Sequence, residues 1–334
     1  MTLRGAQVFV LALPGTLLAS LVLTGALTLF PGIDARYAFL LAVILAPTDP
    51  VSVLAVFKTS GVASGLRVLL EAESLFNDAL GIVLFLLAEE IAFPLGSGHA
   101  TVIGVSGDFV REIGLGAAAG AVVGLVAHRL MSTLDDHHVE IMLSLITAYG
   151  AYLAATQING SGVMATVVAG LLIGNYGTHR SMAPTSRVTM LEFWEVIAFL
   201  TNSALFLLIG LEFRFDDLFE SRTLAATGVS IAAMLVGRLV IAFGLMHPFV
   251  DRQRPRRRAL GLGPPIPRRW RPILFWGGLR GSIPIALALG LAEPNIGGIN
   301  APAMVFAVVV FSLIVQGISV RPLLGKLGLA PLVP

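Results

Sequence analysis

Long apolar runs separated by short polar breaks make up most of this chain, and many of the runs are long enough to cross a membrane. Ten can be marked, at residues 7–30, 36–57, 68–91, 104–131, 139–158, 161–177, 191–212, 223–248, 271–291 and 300–320. About twenty apolar residues suffice for a helix to cross a hydrocarbon core of roughly 30 Å. The pattern therefore predicts an all-α polytopic membrane protein with about ten transmembrane helices. The first run reads as a retained helix and not as a signal peptide, because it is long enough to span and no small-residue cleavage site follows it. No connection is long enough to fold as a separate soluble domain, so residues 1–334 read as one membrane domain.

Composition narrows the class. With 56% hydrophobic and 13% charged residues among 334, a soluble enzyme is excluded. The absence of cysteine removes disulfide and thiolate chemistry. If the connections between the ten runs alternate sides, and basic residues near a run's end are counted with the adjoining connection, sixteen of the 22 basic residues fall on one side and four on the other, with Arg238 and Arg280 deeper inside runs. Basic residues gather on the cytoplasmic side, so both termini are expected in the cytoplasm of a multi-pass protein of the inner (plasma) membrane. The longest connection, residues 249–271, is expected to be a basic cytoplasmic loop facing lipid headgroups, with no nucleic acid as partner.

Three polar features sit where the pattern calls for apolar residues. The first is Glu73-Ser74-Leu75-Phe76-Asn77-Asp78 inside the third run. One ionised residue at the centre of a membrane helix costs roughly 2.5–3.5 kcal/mol, so two carboxylates need partners or a polar cavity. Ser74 and Asp78 lie one helical turn apart, as do Glu73 and Asn77 on the adjoining face. Together they are compact oxygen ligands suited to a proton or a small hard cation. The second feature is Ala46-Pro47-Thr48-Asp49-Pro50, where two prolines free the carbonyls of Val43 and Ala46 from helical bonding. Irregular backbone at that depth is tolerated only when buried in protein or lining a cavity. The third is Gly277-Gly278-Leu279-Arg280-Gly281-Ser282-Ile283-Pro284 in the ninth run. Arg280 keeps its charge and needs a partner, for which Asp49, Glu73 and Asp78 are all available. Two interrupted helices in corresponding halves of a chain point to a transport site near the midplane.

Taken in order, Thr48-Asp49-Pro50, the Glu73 to Asp78 run with its Asn-Asp pair, and Gly278-Leu279-Arg280-Gly281-Ser282 resemble the sodium/proton exchanger family, in its NhaP-like bacterial branch of monovalent cation:proton antiporters. Phe206-Leu207-Leu208-Ile209-Gly210-Leu211-Glu212 and Val315-Gln316-Gly317 agree with it, so the resemblance covers nearly the whole chain. It implies an NhaA-like antiporter fold with inverted repeats and two discontinuous crossing helices. A core bundle would occupy about 1–95 and 223–325, and scaffold and dimerisation helices about 104–212. Family members usually carry about three more helices before the point where this chain begins, including one that lends a polar ligand.

The resemblance also implies roles. Asp78 would carry the proton and the cation in turn, while Asp49, Thr48 and Ser74 complete the ion site. A sodium ion would sit at Asp78 and Asp49, and Asn77 would hold the broken helices. Glu73 would pair with Arg280, with Arg238 and Ser282 supporting the core. The Asn-Asp pair, where electrogenic relatives carry Asp-Asp, implies electroneutral exchange of Na+ (or Li+) for H+ by a homodimer, with no cofactor and no enzymatic activity. Desolvated carboxylates hold protons more tightly than those in water, so competition for one site is enough to couple the two ions. Potassium as the cation and a transport-inactive fragment are the alternatives within the family. A passive cation channel and an intramembrane aspartyl protease built on Asp49 and Asp78 are the alternatives outside it.

Other polar positions have structural readings. Glu192 and Glu195 are expected at an interface, and Asn202, Ser203 and Gln316 in interhelical bonds. Arg238 calls for an acidic partner. Gly114, Gly116, Gly120 and Gly124 have the spacing of close helix packing. His137 and His138, with Asp135, Asp136 and Glu140, are expected in a solvated acidic loop rather than a metal site.

Overall fold

The computed structural model describes residues 4–50, 53–54, 56–57, 62–93, 102–133, 136–174, 184–212, 215–250, 264–291 and 293–329. Most of the 249–271 loop therefore lies outside the described residues, as does Asp135. The described chain is mainly helical: α1 (Gly5–Leu29), α2 (Ala35–Ile44), α3 (Ser64–Ala92), α4 (Val102–Met131), α5 (His137–Gln157), α6 (Gly162–Leu172) and α7 (Pro184–Glu212). There follow α8 (Phe215–Phe219), α9 (Ser221–Leu239), α10 (Arg271–Trp276), α11 (Ser282–Leu289), α12 (Ala301–Phe311) and α13 (Ile318–Lys326). π-helical turns extend α9 over Val240–Leu245 and join α12 to α13 over Ser312–Gly317.

One departure from the all-α expectation is a small antiparallel hairpin, β1 (Asn295–Ile296) and β2 (Ile299–Asn300). Its turn places Gly297 and Gly298 at φ of 60° and 76°, which side-chain-bearing residues rarely adopt.

Among the described residues, six helices are long and apolar enough to cross a membrane: Gly5–Leu29, Val110–Met131, His137–Gln157, Ser186–Leu208, Ser221–Leu245 and Ala301–Lys326. The other four runs fall short for visible reasons. The second stops as a regular helix at Ile44, before Pro47. α3 is 29 residues long, but Glu71, Glu73, Asp78, Glu89 and Glu90 are spread along it. α6 is 11 residues long. The ninth run is divided into α10 and α11 by residues 277–281. Three of these four exceptions belong to the polar features singled out above.

The described helices fall into two compact units, Met1–Ala92 with Leu205–Pro334, and Phe93–Ala204. In the first, α1 packs on α2, α3 and α9, α9 packs on α12, and α12 packs on α11. Its buried cluster joins Leu11 of α1, Leu66 and Leu69 of α3, Met246, Ile273 of α10 and Leu324 of α13. Short polar caps fix the helix starts. The Asp34 carboxylate accepts from the Arg36 amide at 3.0 Å at the start of α2, and Asn300 Oδ1 accepts from the Ala303 amide at 3.0 Å at the start of α12.

In the second unit, α4, α5 and α6 pack on one another. The glycine spacing acts as expected at three of its four positions. A Cβ added to Gly116, Gly120 or Gly124 would meet the backbone of Ser161, which caps α6, or of Ala165 or Ala169 within it, whereas Gly114 faces open space. Substituting Gly120→Val should force the two helices apart at a cost of about 1–3 kcal/mol or more. A lowered melting temperature of the purified protein checks this, and an unchanged one would count against the packing. Asp136 caps α5 by accepting from the amides of His138 and Val139, and those bonds hold its carboxyl below the ordinary range. The cap is therefore complete at neutral pH and is lost as acid protonates Asp136. Asp136, His137 and His138 are exposed, and their potential ligand atoms lie within 4.8 Å of one another. Ser203 bonds to the Phe199 carbonyl of its own helix, not across to another as expected.

Candidate functional site

The polar features gather in the first unit around two interruptions. α2 ends because Pro47 brings no amide proton to continue it, and the Ala46 amide turns back to the Val43 carbonyl at 3.1 Å. Residues 46–50 then run as irregular backbone, buried except for half-buried Asp49. Buried backbone groups must find partners, and α3 supplies several. Asn77 Oδ1 accepts from the Thr48 amide at 3.3 Å, and Asn77 Nδ2 donates to Thr48 Oγ1 at 2.5 Å. Ser74 Oγ donates to the Thr48 carbonyl at 2.7 Å. Asn77 and Ser74 thus hold Thr48 from one face of α3.

The second interruption, residues 277–281, meets the first directly. The Asp49 amide donates to the Leu279 carbonyl at 2.8 Å, which joins the two irregular segments backbone to backbone. Two glycines make room for charged side chains here. A Cβ on Gly281 would strike the Asp49 carboxylate, and one on Gly278 would strike the Arg238 guanidinium.

Both buried arginines are satisfied, but not as the family resemblance implies. Glu73 pairs with Arg238, not with Arg280: Arg238 Nη1 donates to Glu73 Oε1 at 2.5 Å, and the two side chains are 5% and 3% exposed. The open space at Gly278 lets Arg238 reach across to α3. Arg280 Nη1 donates instead to the carbonyls of Ala46 and Pro47, at 3.0 and 3.1 Å. These acceptors stand just beyond α2, whose C-terminal end is the negative end of its dipole and so favours a guanidinium there. The cation that the interrupted backbone attracts is thus the chain's own Arg280. Its amide donates to Ser312 Oγ at 2.9 Å and its Nε approaches Met234 Sδ at 3.2 Å.

Removing the guanidinium by Arg280→Ala should leave two carbonyls without their donor, at about 1–3 kcal/mol each. A fall in melting temperature and in folded yield is expected, and wild-type yield and stability would contradict this account.

What remains is an oxygen-rich surface with few donors. Asp49 and Asp78 are half-buried. Asp78 lies within electrostatic reach of Asp49 and of Arg280. Ser74 Oγ is 3.4 Å from Asp78 Oδ2 and 2.7 Å from the Thr48 carbonyl, so its single proton goes mainly to the carbonyl. Asp78 Oδ1 is buried with no hydrogen-bond partner among the described residues. Behind this surface, a cavity of about 10 Å³ is lined by Thr16, Thr48, Glu73, Asn77 and Arg238 among others. Two carboxylates, a hydroxyl and backbone carbonyls form a set that hard cations and protons favour. Ser282 begins α11 and is buried.

Sequence reasoning had not assigned Ser312, Met234 or Thr16 to this region. Ser312 and Thr16 are isolated hydroxyls in apolar runs, which is a weak signal, and Met234 gives none. Gln316 Nε2 donates to the Trp276 carbonyl at 3.5 Å, between the π-helical turn and α10. Glu192 and Glu195 are exposed.

Comparison with known proteins gives concordant matches. The family profile described as "Sodium/hydrogen exchanger, transmembrane" matches residues 3–326. The Na(+)/H(+) antiporter ApNhaP of Aphanothece halophytica is 37% identical over 324 residues, covering 96% of this chain and 59% of the relative. The Na(+)/H(+) antiporter NhaP of Pseudomonas aeruginosa is 34% identical over 326 residues, covering 95% of this chain and 73% of the relative. The chain spans only 53–59% of the length of the first curated relatives it matches. In fold it is similar to the sodium proton antiporter MjNhaP1 of Methanocaldococcus jannaschii at pH 8, with a TM-score of 0.74 and 20% identity over 96% of this chain and 78% of that one.

Proposed function

Because the chain belongs to the transmembrane sodium/hydrogen exchanger family, we propose that it exchanges Na+ for H+ across a membrane, one for one, with the two ions competing for Asp78. The observation that carries this reading is the environment of the Asp78 carboxylate. Oδ1 is buried with no donor among the described residues, and Oδ2 has only a long contact from Ser74. An ionised carboxylate so placed is costly until a proton or a cation neutralises it. Either ion does so and each excludes the other, which is enough to couple their movements in opposite directions.

Asp49, Ser74 and Thr48 contribute the remaining oxygens for sodium. Asn77 carries no titratable proton, and both ends of its amide are engaged by Thr48, so it braces the break. One charge is then taken up and released at Asp78 in each direction, which makes the exchange electroneutral. Arg238 lies against Gly278 and Arg280 donates to the Ala46 and Pro47 carbonyls, so the two arginines brace the two interruptions.

Access alternates as a core bundle, about 1–95 with 223–325, moves against scaffold helices at about 104–212 through which two copies associate. The ten crossings comprise the six long helices together with the interrupted second and ninth runs, α3 and the α6 region. The protein lies in the plasma membrane with both termini in the cytoplasm. Sodium, with lithium as its analogue, is favoured over potassium by the names of the relatives.

Proteoliposomes holding the protein and a trapped pH dye test this reading. Sodium and lithium pulses should move protons, potassium should do so far less, and clamping the membrane potential should leave the rate unchanged. A response carried mainly by potassium, or one that scales with the potential, would overturn the ion or the stoichiometry. Sodium flux with no coupled proton movement would identify a channel.

A further inference from the structure

A groove of about 390 Å³ runs between α10 and α13, and none of the residues assigned to ion binding lines it. Pro272, Phe275 and Trp276 form one wall, Ser319 and Leu323 the other, and Lys326 stands at one end. The polar atoms in the walls are engaged, since the Trp276 indole N–H donates to Ser319 Oγ at 2.7 Å and Ser319 donates in turn to the Val315 carbonyl at 2.5 Å. The body of the groove is therefore apolar.

Its Lys326 end is cationic. Lys326 is exposed, and Arg269 Nη1 lies 3.7 Å from where a Cβ on Gly328 would stand, two residues beyond Lys326. Arg268 and Arg321 are also exposed, and residues 264–291 and 312–329 contain no aspartate or glutamate to offset them. From Ser319 to Lys326 the helix rises about 10 Å at ~1.5 Å per residue. That is a good part of one leaflet of a hydrocarbon core of roughly 30 Å. An apolar channel of this length with Lys326 and Arg269 at its mouth is complementary in charge and shape to a phospholipid, the anionic phosphate outermost.

We propose that this groove binds an anionic phospholipid, with one acyl chain between Phe275, Trp276 and Leu323 and its phosphate held by Lys326 and Arg269. α10 leads directly into the interruption at residues 277–281. A lipid lying along it would brace that half-helix against α13, adding to the Trp276–Ser319 bond and the shared buried cluster.

Native mass spectrometry of the detergent-purified full chain tests the proposal, using phosphatidylglycerol and phosphatidylcholine with identical acyl chains. Phosphatidylglycerol should be retained preferentially, and each cation removed, by Lys326→Gln or Arg269→Gln, should lower its retention roughly fivefold. Leu323→Trp, which fills the groove and leaves the cations in place, should reduce retention of both lipids. The proposal fails if the doubly neutralised protein keeps the wild-type preference, or if Leu323→Trp retains both lipids normally. Displacement of phosphatidylglycerol by equimolar glycerol phosphate would also overturn it, because the groove would then be an anion site with no role for the acyl chain.

Discussion

Asp78→Asn is expected to abolish sodium-evoked proton movement while the protein still inserts and folds. Asparagine has nearly the same shape as aspartate, but it has no negative charge to balance a cation and no proton to release. Removing one partner from a desolvated charge interaction costs about 2–5 kcal/mol, or roughly thirtyfold to several-thousandfold in ion affinity. A second readout separates loss of the site from general damage. A ligand that binds only the folded state stabilises it by about 2.7 kcal/mol at a hundred times its dissociation constant. Sodium should therefore raise the melting temperature of the wild type and leave that of Asp78→Asn unmoved. In sodium-free buffer the variant should melt no lower than the wild type, since a partly buried carboxylate whose Oδ1 has no donor among the described residues has been removed. Normal exchange by the variant, or an intact sodium-induced shift, would show that the ion is held elsewhere.

Much of this arrangement was legible in the sequence, because the features that carry it break local rules. Proline at 47 and glycine at 277, 278 and 281 interrupt apolar runs in ways that helix chemistry reports without a structure, and carboxylates at 73 and 78 stand out in α3 for the same reason. The glycines at 116, 120 and 124 announced a close helix contact, though not which helix they would meet. The partner of each buried charge was not legible. Glu73 had two arginines within the same core, and the choice between them depends on which has a clear path and which has another acceptor. Gly278 opens the path for Arg238, and the Ala46 and Pro47 carbonyls satisfy Arg280. Neither fact belongs to a local stretch of sequence. The length of each regular helix was also hidden, because the polar residues that mark the site are the ones that shorten or interrupt the runs.

The exchange of partners makes Arg238 the residue whose loss should cost most in stability. Arg238→Ala leaves the Glu73 carboxyl without its guanidinium in a space where its other oxygen already has no partner among the described residues. Breaking a buried ion pair from one side typically costs about 3–5 kcal/mol, so the variant should melt well below the wild type or fail to accumulate. The double variant Arg238→Met/Glu73→Leu removes both charges and keeps similar volume, and it should recover most of the lost stability. If Arg238→Ala melted like the wild type, the pair would be contributing nothing, and Glu73 would have to be satisfied in another way. Transport by the rescued double variant then separates two roles. Exchange restored along with stability would make the pair a brace whose charges are dispensable. Stable protein that no longer exchanges would mean that the charges matter during the cycle, because Arg238 rests against Gly278 and so links α3 to the interruption that carries Arg280.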